Sequence, residues 1–317
     1  VSEPPAGIIR PVNGIPPAIP AAVLAMAQRG PQWADWVRSM PGSVEHLSRQ
    51  WELRPDGPAT NGHCSLVLPV RTAGGAEAVL KIGFPDEESE HEHLALRRWG
   101  GAGAVRLLSA DPHLRALLLE RLHPADLSGL PDGHACTVVA GLYRQLHVPA
   151  LPSLRSLSSF IDRQTTELTN LPRGAPIPRR LVEQAAALGT ELTADRSVPD
   201  RVLHTDLHYS NVLAADRQPW LAIDPKPVNG DPHYEIAPML WNRWAELTGG
   251  VDGGDVRDGV RRRFWSLVDA AGFDEDRARA WVIVRMVHNA MWAVQDGTAT
   301  DPSWLTICIA VAKAVQD

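Results

Sequence analysis

Short apolar runs of strand length alternate with polar turns between residues 51 and 121. The five runs are residues 51–53, 65–70, 77–82, 105–109 and 116–121. Gly74 and Gly75 mark a turn between the second and third runs, and Pro112 marks one between the last two. The pattern predicts five antiparallel strands that end before Pro124.

Apolar residues follow helical spacing from about residue 125 onward. The predicted helices in this part are residues 136–146, 154–168, 178–193, 254–271, 274–295 and 302–315. A further helix is predicted over residues 21–40, preceded by a Pro-rich stretch at residues 1–20 that we expect to be extended. The change of period at Pro124 predicts two domains. The first covers residues 1–122, with residues 1–45 as an extension and helix, and the second covers residues 123–317.

Composition narrows the class of protein. The chain has 317 residues, 44% hydrophobic residues and a formal charge of −6, which are values of a soluble globular protein with room for two cores. The negative charge argues against non-specific nucleic-acid binding. Three widely spaced cysteines indicate neither a disulfide framework nor a cysteine zinc site. With no run of apolar residues long enough to span a bilayer, we expect a cytoplasmic protein that does not bind membranes.

Residues 202–224 hold the densest group of candidate catalytic side chains. Val202 and Leu203 lead into a polar loop, and a second apolar run at residues 220–223 ends at a lone acid, Asp224. Within the loop, Asp206 is followed five residues later by Asn211. ATP-dependent phosphoryl transfer needs one carboxylate to accept a hydroxyl proton, and an amide oxygen with a second carboxylate to hold magnesium. The spacing therefore predicts Asp206 as the catalytic base and Asn211 with Asp224 as ligands of Mg²⁺.

A different chemistry is open for the same loop. His204, Asp206 and His208 have the residue types and the spacing of a metal-ligand cluster in a hydrolase. The sequence contains no Gly-x-x-x-x-Gly-Lys-Ser/Thr motif, which argues against a nucleotide site of the P-loop type. The loop at residues 56–63, with Gly57 and Gly62, is either a phosphate-approaching loop or a plain hairpin connection.

Two further positions suit a nucleotide-binding role. Lys81 lies inside the apolar run 77–82, and a helix that we expect to begin near Pro85 places Glu92 on the same face as Leu96. Kinase-like enzymes pair a strand lysine with a helix glutamate and so hold the lysine against the α- and β-phosphates. An ordinary solvated lysine is the alternative. Exposed backbone near Glu120 and Leu122, where the last strand ends, is suited to hydrogen bonds with a nucleotide base.

Taken together, these stretches resemble the aminoglycoside phosphotransferase group, and most of all its branch of streptomycin 6-phosphotransferases and hydroxyurea phosphotransferases. The matching stretches are residues 78–82, 92–97, 103–108, 116–122, 204–213 and 220–227. The resemblance implies an α+β, bilobal protein-kinase-like fold, with an N-terminal five-stranded antiparallel sheet plus helix and a larger, mainly helical C-terminal lobe. It also implies ATP and Mg²⁺ as cofactors, a structural His204, and a monomer. Thr205 departs from the glycine usual in the group, and Glu235 from the usual aspartate.

The acceptor is the least determined part. An aminoglycoside is polycationic, so its pocket needs acidic or aromatic side chains besides Asp206. The candidates downstream of the magnesium loop are Asp231, Glu235, Trp241 and Glu246. Alternatively, Asp231 caps the next helix and the tryptophans belong to the core. The sequence predicts transfer to a hydroxyl of a streptomycin-like antibiotic, giving resistance. A kinase of another small alcohol such as an amino sugar, and a catalytically inactive nucleotide-binding module, are the alternatives.

Overall fold

The computed structural model describes residues 18–248, 255–295 and 302–316. The chain divides into two compact units. Residues 1–86 and 108–121 form the first unit, and residues 87–107 and 122–317 form the second. The extended stretch predicted for residues 1–20 lies outside the described residues apart from its last three positions. The predicted domain boundary at residue 122 stays a prediction.

The first unit is an antiparallel sheet with an N-terminal helical segment. Its helices are α1 (Ala21–Ala25) and α2 (Pro31–Gln50), joined by a 3₁₀ turn at Met26–Arg29. Its strands are β1 (Arg54–Pro55), β2 (Thr60–Asn61), β3 (Ser65–Arg71), β4 (Glu77–Gly83), β5 (Leu107–Asp111) and β6 (Ala116–Glu120). The sheet order is β1-β3-β4-β6-β5, with β2 paired to β3. Six strands are therefore present where five were predicted.

Helix α2 covers one face of this sheet and completes its core. Trp33 of α2 stacks on Phe84 with ring centroids 3.6 Å apart, and Trp36 Nε1 donates to the carbonyl of Gly83 at 3.0 Å. Met40 and Leu47 on the same helix are fully buried together with Leu66, Leu68 and Leu80 from the strands. The single helix predicted for residues 21–40 is thus wrong in its bounds: it is divided before Pro31, and its second part extends to Gln50 because the apolar stripe continues to Leu47.

Two predictions for this unit are wrong in detail. Residues 51–53 form a turn, and the first strand begins at Arg54. The connection predicted as a loop at 56–63 contains β2, whose Thr60 pairs with Val67. Both strands have only two residues, too few for an alternating pattern to reveal them.

The second unit is mainly helical. Its helices are α3 (Glu92–Trp99), α4 (Asp132–Leu146), α5 (Leu157–Thr169), α6 (Arg179–Ala194), α7 (Ala237–Trp241), α8 (Trp244–Thr248), α9 (Val256–Ala271), α10 (Glu275–Gln295) and α11 (Pro302–Ala314). Two small antiparallel pairs complete it: β7 (Arg201–Leu203) pairs with β10 (Val228–Gly230), and β8 (Val212–Ala214) pairs with β9 (Trp220–Ala222). None of the helices in the described ranges combines the length and hydropathy that a bilayer crossing requires.

Helix α3 belongs to this second unit and begins later than predicted. The helix expected from Pro85 starts at Glu92, which is its first residue and not a position deep within it. Trp99 at its end donates to the carbonyl of Leu146 at 2.8 Å, and its ring stacks on His204 with centroids 6.2 Å apart. The segment that follows α3 contacts β9 of the same unit, since Val105 N donates to the carbonyl of Ala222 at 2.8 Å.

Candidate active site

The polar loop between β7 and β8 is anchored by His204. This imidazole is fully buried, its Nε2 lies 2.9 Å from the carbonyl oxygen of Ile223, and Asp206 N donates to its Nδ1 at 3.2 Å. Burial lowers the pKa of His204 to about 4, so the ring is neutral near pH 7. A neutral ring that donates through Nε2 and accepts at Nδ1 fits both contacts. His204 therefore fixes the backbone that carries Asp206.

Thr205 occupies a backbone conformation that favours glycine. Its φ is +61°, in the left-handed region, where a β-branched residue is strained by roughly 1–3 kcal/mol. Three contacts hold it there. Thr205 N donates to Glu235 Oε1 at 3.1 Å, its Oγ1 donates to the carbonyl of Lys226 at 2.6 Å, and its carbonyl accepts from Arg285. The departure from glycine seen in the sequence is thus balanced by side-chain contacts.

Glu235 is the buried carboxylate beneath this loop. It is 0% exposed, and Oε1 accepts hydrogen bonds from the backbone N–H groups of both His204 and Thr205. Its other oxygen, Oε2, has no hydrogen-bond partner within the described part of the chain. Burial raises the pKa of Glu235 to about 7, against the lowering effect of these N–H donors and Arg285. Glu235 supports the loop from below and does not line the cavity described next.

Asp206, Asn211 and Asp224 are brought together by the two strand pairs. Asn211 Nδ2 donates to the carbonyl of Asp206 at 2.8 Å and lies 3.4 Å from Asp206 Oδ2. Ile223 N donates to the carbonyl of Asn211 at 2.9 Å, which sets Asp224 beside Asn211. An amide oxygen and a carboxylate are the hard oxygen donors that Mg²⁺ takes alongside phosphate oxygens and water. The donor set therefore fits magnesium.

The hydrolase alternative does not gain support. His204 is buried and fully engaged, and His208 Nε2 lies 3.8 Å from Asp206 Oδ1. In residues 18–248, 255–295 and 302–316, no group of three or more His, Cys, Asp or Glu side chains is arranged to hold a metal ion.

A cavity of about 450 Å³ opens beside Asp206 within the second unit. Its acidic and basic side chains are Glu87, Glu88, Asp206, Arg155, Arg163, Lys226 and Arg285, and its aromatic side chains are Phe160, Tyr234, Trp241 and Trp292. Arg285 lies over the rings of Tyr234 and Trp241, with its guanidinium carbon 4.5 and 5.1 Å from their centroids. The lining holds four basic and three acidic groups, so its charge alone does not select a cation.

Of the four predicted acceptor residues, only Trp241 lines this cavity. Asp231 caps the following 3₁₀ turn and accepts from Trp281 Nε1 at 2.6 Å. Burial alone would raise the pKa of Asp231, but hydrogen bonds from His233 and Trp281 lower it to about 2. Glu246 forms an ion pair with Arg243. The structure therefore places Asp231, Glu235 and Glu246 outside the lining of this cavity, and their predicted acceptor role stays a prediction.

Sequence reasoning missed Lys226 and Glu88 as site residues. Lys226 Nζ lies 3.1 Å from Asp206 Oδ2 and 3.5 Å from Glu88 Oε2. Burial would lower the pKa of Lys226, but these two carboxylates raise it overall, so the side chain is an ammonium. The only available signal was the Asp-Pro-Lys-Pro run at residues 224–227, which places a lysine two positions after a predicted magnesium ligand.

The predicted nucleotide-binding residues lie in both units. Lys81 is on β4 opposite Val67 of β3 and Leu117 of β6, and Glu120 ends β6. Glu92 and Leu122 belong to the second unit. Glu92 begins α3 and is 5% exposed. Their predicted contacts with ATP stay predictions.

The fold combines an antiparallel sheet that carries a strand lysine with a His-x-Asp loop followed by a magnesium-type Asn and Asp. These features are typical of a phosphotransferase of protein-kinase-like fold. The family model described as aminoglycoside/hydroxyurea antibiotic resistance kinase matches residues 50–297. The streptomycin 6-kinase of Streptomyces glaucescens is 41% identical over 290 residues, covering 89% of this chain and 92% of that protein. The hydroxyurea phosphotransferase of Kitasatospora aureofaciens is 43% identical over 296 residues, covering 90% and 82%.

A solved structure gives the same fold at low identity. The ternary complex of aminoglycoside phosphotransferase APH(4)-Ia with ADP and hygromycin B aligns at a TM-score of 0.58 and 15% identity, covering 86% of this chain and 98% of that one. The chain belongs to the aminoglycoside/hydroxyurea antibiotic resistance kinase family. The predicted fold class and the predicted ATP-dependent O-phosphotransferase activity are both confirmed.

Proposed function

We propose that this enzyme transfers the γ-phosphoryl group of ATP to a hydroxyl of a streptomycin-like aminoglycoside and so confers resistance to it. The observation that carries the proposal is the position of Asp206, which faces a cavity of about 450 Å³ from a loop held by buried His204 and Glu235. Relatives that are 40 and 41% identical over about nine-tenths of the chain are named streptomycin 6-kinases.

The proposal assigns a chemical role to each predicted site residue. The acceptor oxygen bonds to the γ-phosphorus while the bond from that phosphorus to the bridging oxygen breaks, and ADP leaves with the electron pair. Asp206 orients the acceptor hydroxyl and takes its proton. Asn211 and Asp224 would hold Mg²⁺, which when bound neutralises charge on the phosphate oxygens. Lys81 is assigned to the α- and β-phosphates and Glu92 to the orientation of Lys81. Glu120 and Leu122 are assigned to the base.

The cavity supports an acceptor of sugar size. Its volume of about 450 Å³ lies in the range of sites for drug-sized ligands. Phe160 and Trp292, whose ring centroids are 5.8 Å apart, offer apolar faces for a ring or a guanidinium group. A cationic acceptor would have to compete with Arg155 for Glu87 and with Lys226 for Glu88. Cation recognition in this cavity therefore requires exchange of existing ion pairs.

A second candidate acceptor is hydroxyurea, favoured by the 43% identity to a hydroxyurea phosphotransferase. Hydroxyurea has only a handful of non-hydrogen atoms and would leave most of the cavity filled with water. We therefore expect it to be the poorer substrate. An amino sugar is the third acceptor class to compare.

The test is a comparison of acceptors under one set of conditions. We expect the purified enzyme with ATP and Mg²⁺ to phosphorylate streptomycin with kcat/KM at least tenfold above that for hydroxyurea or glucosamine, with a mass increase of one phosphoryl group on the product. Equal or better turnover of hydroxyurea would contradict the aminoglycoside proposal. Transfer to none of the three would contradict the whole acceptor assignment.

A further inference from the structure

Lysine is rare in this chain, and one of its few lysines lies in the cavity beside Asp206. The sequence has 31 lysine and arginine residues, and only Lys81, Lys226 and Lys313 are lysines. Lys81 is the predicted phosphate contact, and Lys313 is exposed on α11. Lys226 lines the acceptor cavity, and the roles assigned above make no use of it.

The backbone of Lys226 is fastened to the loop that carries Asp206. Lys226 N donates to the carbonyl of His204 at 2.9 Å, and the carbonyl of Lys226 accepts from Thr205 Oγ1 at 2.6 Å. Both partners immediately precede Asp206 in the chain. The backbone of Lys226 is therefore fixed beside the loop, within side-chain reach of the Asp206 carboxylate.

The two oxygens of Asp206 have different surroundings. Oδ2 lies 3.1 Å from Lys226 Nζ and 3.4 Å from Asn211 Nδ2. Oδ1 lies 3.8 Å from His208 Nε2, which is beyond hydrogen-bond distance. Lys226 and Asn211 thus both lie on the side of one oxygen, Oδ2. The ammonium has a second carboxylate partner, because Glu88 Oε2 lies 3.5 Å from Lys226 Nζ.

The choice of lysine over arginine fits this asymmetric contact. An ammonium is a compact point charge that can contact a single carboxylate oxygen, whereas a guanidinium forms a planar fork that binds both oxygens. An arginine at position 226 would compete for the oxygen that has to receive the acceptor proton. In a chain where almost every other cationic residue is arginine, lysine at this position has a chemical reason.

We propose that Lys226 is a positioning residue for phosphoryl transfer: its ammonium holds Oδ2 of Asp206 so that Oδ1 receives the acceptor proton, and Glu88 holds the ammonium. The proposal rests on the role proposed above for Asp206. In the transfer step the proton passes from the acceptor oxygen to Oδ1 as the new phosphorus–oxygen bond forms, and Lys226 keeps all its protons throughout.

The test uses steady-state kinetics on Lys226→Met, Lys226→Arg and Glu88→Gln, with Lys313→Met as the matched control for loss of a lysine. Misplacement of a catalytic group by about 1 Å can cost roughly 10²-fold. We therefore expect Lys226→Met and Lys226→Arg to lose about 10²-fold in kcat, with KM for ATP and acceptor changed less than about threefold. Glu88→Gln should show a smaller loss in kcat, and Lys313→Met the wild-type rate.

A double-mutant cycle separates positioning from an independent role. Because Lys226 acts through Asp206, adding Lys226→Met to Asp206→Asn should cost little further activity. The shifts of the urea unfolding midpoint caused by the two single substitutions should likewise be non-additive, which reports the ion pair without turnover.

Three results would overturn the proposal: additive losses in the cycle, a wild-type rate for Lys226→Met, or a wild-type rate for Lys226→Arg. The last would mean that charge alone suffices. A failure of the proposed function looks different, because in that case Asp206→Asn itself keeps its activity or the wild-type enzyme transfers no phosphate.

Discussion

At the scale of single residues, the site consists of one half-buried carboxylate that lines the cavity and one fully buried carboxylate that supports it. Asp206 faces the cavity, while Glu235 is 0% exposed and receives two backbone N–H groups of the same loop. Each acid therefore has a distinct task that follows from its surroundings. Asp206 is the proposed contact with the acceptor. Glu235 holds the strained Thr205, which precedes Asp206 in the chain.

The burial of Glu235 predicts a specific pH dependence of stability. Its pKa in the folded protein is raised to about 7 from an ordinary value of 4.5, so the folded state keeps a proton that the unfolded state has lost. This contribution to stability is fully present below pH 4.5 and is lost as the pH rises through 7. At about 1.4 kcal/mol per unit, the change amounts to about 3 kcal/mol.

Glu235→Gln removes this titration while keeping an oxygen for the N–H groups of His204 and Thr205. We expect the free energy of unfolding of the wild type, relative to Glu235→Gln, to fall by about 3 kcal/mol between pH 4.5 and 7.5. Urea unfolding at several pH values measures it. Buried histidines such as His204 have lowered pKa values and act in the opposite direction, but they are common to both proteins and cancel. A difference that does not vary with pH would show that Glu235 does not titrate as described.

Sequence reasoning found the residues whose chemistry is local in the chain. Asp206 and Asn211 are five positions apart on one loop, and Asp224 ends the next apolar run, so their proximity follows from a short hairpin. Lys226 and Glu88 were missed because 138 positions separate them in the sequence. Spacing carries no signal for a pair that only tertiary folding joins.

At the scale of elements, β10 and α5 pack closely enough to require a glycine. A Cβ built on Gly230 of β10 would lie 2.5 Å from Cβ of Leu157, the first residue of α5, which also lines the cavity. The contact is with an atom next to the backbone, which cannot rotate away. The strand pair beneath the catalytic loop therefore depends on the absence of a side chain at this position.

Gly230→Ala should lower the free energy of unfolding by about 1–3 kcal/mol, as overpacking of a core does. The matched control is Gly133→Ala in the first turn of α4, where an added Cβ has nothing within 4 Å. There the helix propensity of alanine should leave stability unchanged or raise it by up to about 1 kcal/mol. Chemical denaturation of both variants measures the difference. Equal effects at the two glycines would contradict the packing described for β10 and α5.

Tertiary contacts explain why sequence reasoning misplaced the start of α3. Proline and acidic residues near position 85 are typical of a helix start, yet α3 begins at Glu92. Glu87 and Glu88 instead form ion pairs with Arg155 and Lys226, far away in the chain. Tertiary contacts thus hold the segment before α3 out of the helix, against its local preference. The long helices with a continuous apolar stripe, such as α6 and α10, were placed to within a residue or two.

At the scale of the whole molecule, the two units have separate cores. The first unit buries α2 against a sheet that presents Lys81. The second unit holds the catalytic loop, the proposed magnesium ligands and the cavity beside Asp206. The change from strand to helix periodicity predicted two domains divided at residue 122, which stays a prediction, and the match to the family over residues 50–297 spans both units. The sequence did not predict that α3 would pack with the catalytic loop, since a helix following a strand is expected to pack on that strand's sheet.

The most direct test of the central claim follows the γ-phosphoryl group itself. Wild-type enzyme and Asp206→Asn are incubated with γ-labelled ATP, Mg²⁺ and streptomycin, and nucleotide binding is measured separately by the thermal shift that ATP causes. We predict label on streptomycin with the wild type, a loss of roughly 10²- to 10⁴-fold in transfer rate with Asp206→Asn, and the same ATP-induced shift in both. Undiminished transfer by Asp206→Asn, or no labelled streptomycin with the wild type, would contradict the account.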